Sequence, residues 1–122
     1  MSAYLQNFKN KKSIEEAYEC TLPKGIKILL AWYGYGSYCG SSLVIYEFDG
    51  KLYEVNASHC SCNGLEGQWV PEETTLAALK MRNYGNSDDY YSEYDGEKEC
   101  NIAFHKLIKK LEKMWTLPAK AE

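Results

Sequence analysis

The apolar positions of this chain change their spacing several times, and each change marks an element. Ser13-Ile14-Glu15-Glu16 has the form of a capping box, with Ser13 as N-cap and Glu16 reaching back. A short helix is therefore predicted from Ser13 to about Cys20, broken by Thr21-Leu22-Pro23-Lys24-Gly25. From Ile26 to Tyr33 the residues are almost all apolar, as in a central strand. Gly34-Tyr35-Gly36-Ser37 reads as a turn or a glycine bulge. Strand character resumes from Tyr38 to Phe48, Asp49-Gly50 is the strongest hairpin signal in the chain, and Lys51 to Asn56 returns. A two-residue turn pairs Phe48 with Lys51, Tyr46 with Tyr53 and Val44 with Val55, which puts an aromatic and β-branched ladder on one face. The other face carries Leu43, Ile45 and Leu52 beside Glu47 and Glu54, which predicts a second face only partly covered.

Helical spacing then takes over. Pro71-Glu72-Glu73 suits a first turn, so a helix is expected from there to about Asn83, with Leu76, Leu79 and Arg82 or Asn83 on its inner line. Residues 84–95 read as a loop, with Asp95 as cap of a last helix. Cys100, Phe104, Leu107, Leu111 and Met114 form that helix's apolar stripe, Lys106, Lys109, Lys110 and Lys113 its outer side, and Leu117-Pro118 its end. The expected fold is a single α+β domain: a small antiparallel meander of about three strands with about three helices packed on one face, and flexible termini at residues 1–12 and 117–122.

Composition narrows the function. A length of 122 residues fits one domain, and 45% hydrophobic residues suffice for a core. The net charge of -3 argues against a general nucleic-acid binder, which needs a cationic field to displace counterions from phosphate. Of the 14 basic residues only Arg82 is arginine, so a site using bidentate arginine recognition has one at most. The longest apolar run, Ile28 to Tyr33, is far shorter than a membrane span, and Met1 to Lys12 is too polar for a signal peptide. An odd count of five cysteines suggests reduced thiols in a cytoplasm rather than a disulfide framework.

Three segments are candidates for chemistry. In Ser58-His59-Cys60-Ser61-Cys62 three potential metal ligands crowd into four residues. Cys60 and Cys62 are one residue apart, however, where a zinc knuckle uses two or more, and the remaining ligands would come from Cys39, Cys100 or His105. A thiol nucleophile at Cys60 or Cys62 would need His105 as base, since His59 diverges from its neighbour. The alternative is a tight turn with inert sulfur. Tyr38-Cys39-Gly40-Ser41-Ser42 lacks the helix that a papain-like nucleophile requires. The third segment, residues 83–95, holds four acids, four tyrosines and no base. Rigid tyrosines among serine, glycine and asparagine are the composition of an adaptable binding loop, and its charge suits a partner with a basic surface. Tyr84, Asp88, Asp89, Tyr90, Tyr91, Glu93 and Tyr94 are its candidate contacts. The competing reading is a solvated loop whose tyrosines fold back on the sheet.

Ala31-Trp32-Tyr33-Gly34-Tyr35-Gly36-Ser37-Tyr38, Asn56-Ala57-Ser58-His59-Cys60-Ser61-Cys62 and Gly64-Leu65-Glu66-Gly67-Gln68-Trp69 resemble a family of small bacteriophage-encoded proteins. The likeness covers residues 26–82, under half of the chain, and the two ends fall outside it. It implies context rather than a site. Small phage proteins without an enzyme motif often bind and block a host protein, defence factors included. The expectation is accordingly a non-enzymatic accessory protein in the host cytoplasm that binds a host protein, with no cofactor, no direct nucleic-acid contact and no membrane contact. The alternatives are a metal or thiol enzyme at His59, Cys60, Cys62 and His105, or a nucleotide sponge stacking its ligand on Trp32, Tyr46 and Tyr53.

Overall fold

Asp49 and Gly50 both take left-handed backbone angles (φ 54° and 77°), the type I′ turn that matches the twist of two flanking strands. The computed structural model describes residues 2–36, 38–61, 63–81 and 94–121, with side chains as far as 114. That turn joins β3 (Cys39–Phe48) to β4 (Lys51–His59) in the expected register, Phe48 with Lys51, Tyr46 with Tyr53 and Val44 with Val55. β2 (Lys27–Gly36) pairs antiparallel with β3 and continues through Gly34 and Gly36, so the turn falls after Gly36. These three strands are the predicted meander.

Two short strands extend it to five, in the order β1-β2-β3-β4-β5. β1 (Ala3–Gln6) pairs parallel with β2, so part of the terminus expected to be flexible is sheet. β5 (Glu72–Thr74) pairs with Leu52 to Glu54 of β4. Pro71 therefore precedes an edge strand, a place where its missing N–H costs little, and does not open a helix. The helix begins later. α2 (Leu76–Lys80) is capped by Thr75, whose hydroxyl accepts from Ala78 N–H. α1 (Lys11–Tyr18) is likewise shifted: Asn10 is its N-cap and Ser13 stands at N3, closing the reciprocal box one turn before the predicted start. Asn10 is as good a cap as serine, and the helix gains a turn by using it.

α3 (Glu97–Ala121) continues past the predicted stop at Leu117-Pro118. Its first helical hydrogen bond runs from Cys100 N–H to the Gly96 carbonyl, while the backbone of Asp95 bonds elsewhere. The predicted stripe is confirmed at Cys100, Phe104, Leu107 and Leu111, all buried, whereas Met114 is 43% exposed. Lys80 of α2 bridges Glu112 of α3 at 2.6 Å. Arg82 and Asn83, expected on the α2 inner line, lie outside the described residues.

The helices do not share one face. α1 and the 65–69 segment cover one side with Phe8, Ile14, Tyr18, Tyr33, Tyr46 and Trp69; α2 and α3 cover the other, against Leu30, Trp32, Leu43, Ile45 and Leu52. Both faces are therefore core. The expectation of one partly covered face fails because α1, reached through the unrecognised β1, crosses to the opposite side. Among the described residues no helix is long and apolar enough to cross a membrane.

Candidate functional site

Alternation along β2 sends Tyr33 and Tyr35 to the α1 side and Trp32 and Gly34 to the α3 side. On the α1 side a run of ring contacts crosses the sheet. Tyr53 stacks on Tyr46 (5.1 Å) and Tyr46 on Trp69 (5.8 Å), and Trp69 meets Tyr18 edge-on (5.0 Å). Phe8 contacts both Tyr18 (6.3 Å) and Tyr33 (5.4 Å), and Tyr33 meets Tyr35 edge-on (5.1 Å). The run ends on His59, which faces the edges of Tyr33 and Tyr35.

His59 terminates β4, opposite Gly40 of β3. Its ring lies directly over Gly40, in space that any Cβ would take. Nδ1 is 2.8 Å from the Cys60 carbonyl, and Nε2 is 2.7 Å from the Tyr33 hydroxyl. A carbonyl only accepts, so Nδ1 carries the proton and, in the neutral ring, Nε2 accepts from Tyr33. Both imidazole nitrogens are thus engaged. Burial, the neighbouring Tyr35 and the Glu66 carboxylate push the Tyr33 phenol up, so it remains a proton donor at neutral pH. The N–H groups of Glu66 itself and of Gly64 hold the Glu66 carboxyl below its ordinary value, helped by His59.

Cys60 is exposed and Cys39 half-buried, and the described residues contain no cluster of three or more metal-ligating side chains. Cys62 lies outside the described residues. His105 sits on α3, across the sheet from His59, so neither the Cys60–His105 pair nor a joint His59 and His105 metal site is assembled. The proposed nucleotide face is divided as well: Trp32 belongs to the α3 side, Tyr46 and Tyr53 to the α1 side.

What the end of the sheet does present is tyrosine. Gly36 pairs with Cys39, and Tyr38, just before Cys39, has φ 61° and is 85% exposed. Tyr35 beside it is 48% exposed. A non-glycine residue in this conformation costs on the order of 1 kcal/mol, and a solvent-facing ring there returns nothing to the fold. Tyr94 and Asp95 lie at the same end. Asp95 N–H donates to the Tyr35 carbonyl (2.8 Å), and the Asp95 carbonyl accepts from the Trp32 indole (2.9 Å). The Asp95 carbonyl approaches Gly34 so closely that a Cβ there could not be accommodated. Tyr94 packs half-buried with its ring edge-on to Trp32. The other candidate contacts, Tyr84, Asp88, Asp89, Tyr90, Tyr91 and Glu93, lie outside the described residues.

Sequence reasoning passed over Tyr35 and Tyr38 by treating their glycines as the signal. The alternation Tyr33-Gly34-Tyr35-Gly36 held the information: two tyrosines on one face, with only small residues on the other. No protein-family model matches this chain, and neither a curated protein nor a solved structure is similar to it.

Proposed function

We propose that this chain is a protein-binding module that works through the tyrosine-bearing end of its sheet. The contact surface comprises Tyr35, Tyr38 and the acidic tyrosine segment whose last residue, Asp95, is bonded to Tyr35. The observation that carries this reading is Tyr38, an exposed aromatic ring held in a left-handed turn where glycine would be cheaper. Fold stability does not account for a tyrosine there; contact with another molecule does. Tyrosine is among the side chains enriched at binding hot spots, because it supplies rigid area and a hydrogen-bonding tip.

The partner is a protein with a basic surface, matching four acids and no base over residues 83–95. In the phage setting that the sequence resemblance implies, it is a host protein, and capture of a defence factor would inhibit it. The test begins with affinity capture from the host and identification of the bound protein. Calorimetry then uses the purified pair. Replacing Tyr38, Asp89, Tyr90 and Tyr91 with alanine is expected to weaken binding at least tenfold with the circular dichroism spectrum unchanged. Wild-type affinity should also fall as salt rises. Equal affinity of variant and wild type would remove this surface from the account.

A further inference from the structure

A second, separate feature lies on the α3 side. Between the first turn of α3 and the β3–β4 pair is a cavity of about 90 Å³, walled by Trp32, Leu43, Asn56, Glu97 and Asn101. Ser41, Ser42 and Asn56 also line an open depression of about 340 Å³ that extends to Ser58 and Gln68. The two hollows share Ser41, Ser42 and Asn56 and adjoin in one cleft.

Asn101 makes this cleft more than a gap in packing. It is 3% exposed, lines the inner cavity, and among the described residues its side-chain Nδ2 has no hydrogen-bond partner. A buried amide donor left unsatisfied costs on the order of 1–3 kcal/mol, a cost that a bound molecule offering an acceptor in the cavity removes. The outer end is polar too. The Gln68 amide bonds both the N–H and the carbonyl of Ser58, taking the place of a neighbouring strand there, while β5 pairs only as far as Glu54. Between them Asn56 turns its own backbone N–H and carbonyl to the same open side, since these groups alternate along a strand.

The lining chemistry selects a ligand class. Among the described residues neither hollow is lined by lysine or arginine, and the Glu97 carboxylate repels anions, so phosphate-bearing ligands are disfavoured. A purely apolar ligand would leave the Asn101 amide donor without an acceptor. Amides and serine hydroxyls both donate and accept, and Trp32 and Leu43 add an apolar wall. We infer that this cleft binds a neutral polyhydroxylated molecule, a carbohydrate ring whose hydroxyls satisfy Asn101, Asn56 and Ser58 while its C–H face packs on Trp32 and Leu43. This site is independent of the tyrosine surface, and neither reading stands on the other.

The test follows side-chain amide signals of the ¹⁵N-labelled full chain by NMR during titration with D-glucose, D-ribose and N-acetyl-D-glucosamine. Adenine and inorganic phosphate serve as controls. At least one sugar is expected to give saturable shifts of the Asn101 and Asn56 amide signals, and both controls none. Asn56→Ala, at an exposed position, should weaken that sugar at least tenfold. Asn101→Leu should abolish the shift of Asn56 while raising the melting temperature, because it removes the unsatisfied donor. The inference is overturned if no sugar shifts these signals, which would leave the cleft to water, if adenine alone shifts them, or if sugar binding survives both substitutions.

Discussion

The two faces of the sheet are built on different principles. The α3 side is mainly aliphatic: Leu30, Leu43, Ile45 and Leu52 receive the stripe of Cys100, Phe104, Leu107 and Leu111. Such a core closes on itself, because a leucine or isoleucine has no polar end to deliver anywhere. The α1 side is a chain of rings from Tyr53 to His59, and each tyrosine carries a hydroxyl that must find a partner. Tyr18 donates to Ser42 at 2.9 Å, and Tyr33 is bonded to His59 at 2.7 Å. Because every ring leaves an edge for the next, the aromatic face does not stop at the core boundary. It runs out to Tyr35, and Tyr38 stands beyond it in the solvent. The aliphatic face stabilises the fold; the aromatic face does so too and also reaches the surface at Tyr35.

Substitutions on the two faces should separate these roles. The largest effect is expected on the closed side, where Phe104→Ala leaves a cavity and lowers stability by about 3–5 kcal/mol in chemical denaturation. A loss near zero would mean that α3 is not part of the cooperative core. Gly34→Ala comes next. Its Cβ cannot coexist with the Asp95 carbonyl, so about 1–3 kcal/mol should be lost. Partner binding should weaken as well, because the anchor of the 83–95 segment is displaced. Unchanged binding would detach that segment from the proposed surface.

On the aromatic side, Tyr18→Phe removes one buried hydrogen bond and should cost about 1–2 kcal/mol. It should also alter the pH profile. Burial pushes the Tyr18 phenol up from 10.0 to about 12 and the Cys100 thiol up from 9.0 to about 12. Above pH 9 the unfolded chain therefore releases these protons before the folded chain does. Stability is complete below that point and falls as pH rises toward 12. Tyr18→Phe should remove the Tyr18 share of the decline that begins near pH 10, while the shares of Tyr4, Tyr33 and Tyr46, which burial also raises, and the earlier thiol part remain. Denaturation curves at pH 8, 10 and 11 would show it, and parallel losses in both proteins would refute the assignment.

The hairpin and the α3 stripe were legible in the sequence because each is local: two turn residues set a register, and a repeat of three or four sets a helix face. The short elements were not. β1 and β5 have four and three residues, too few for periodicity to declare itself, and both exist because β2 and β4 offer free edges. Missing β1 also misplaced α1, since that helix is the crossover between the parallel strands β1 and β2 and the hand of the crossover sets the face it covers. Among the candidate site residues, the segment around His59 was visible as an odd cluster of ligand types. Its use was not, because the partner that fixes His59 is Tyr33, 26 residues away. Ser42, Gln68 and Asn101 carried no signal of their own; burial and hydrogen bonding alone distinguish them.

Tyr38→Gly carries the smallest change in stability and the sharpest test of function. Glycine relieves the left-handed strain at φ 61°, so the variant should be as stable as the wild type or more stable by up to about 1 kcal/mol. Its affinity for the captured partner, measured by calorimetry, should nonetheless fall at least tenfold. A variant that is no less stable and binds as tightly as the wild type would contradict the claim that this end of the sheet is where the protein meets its partner.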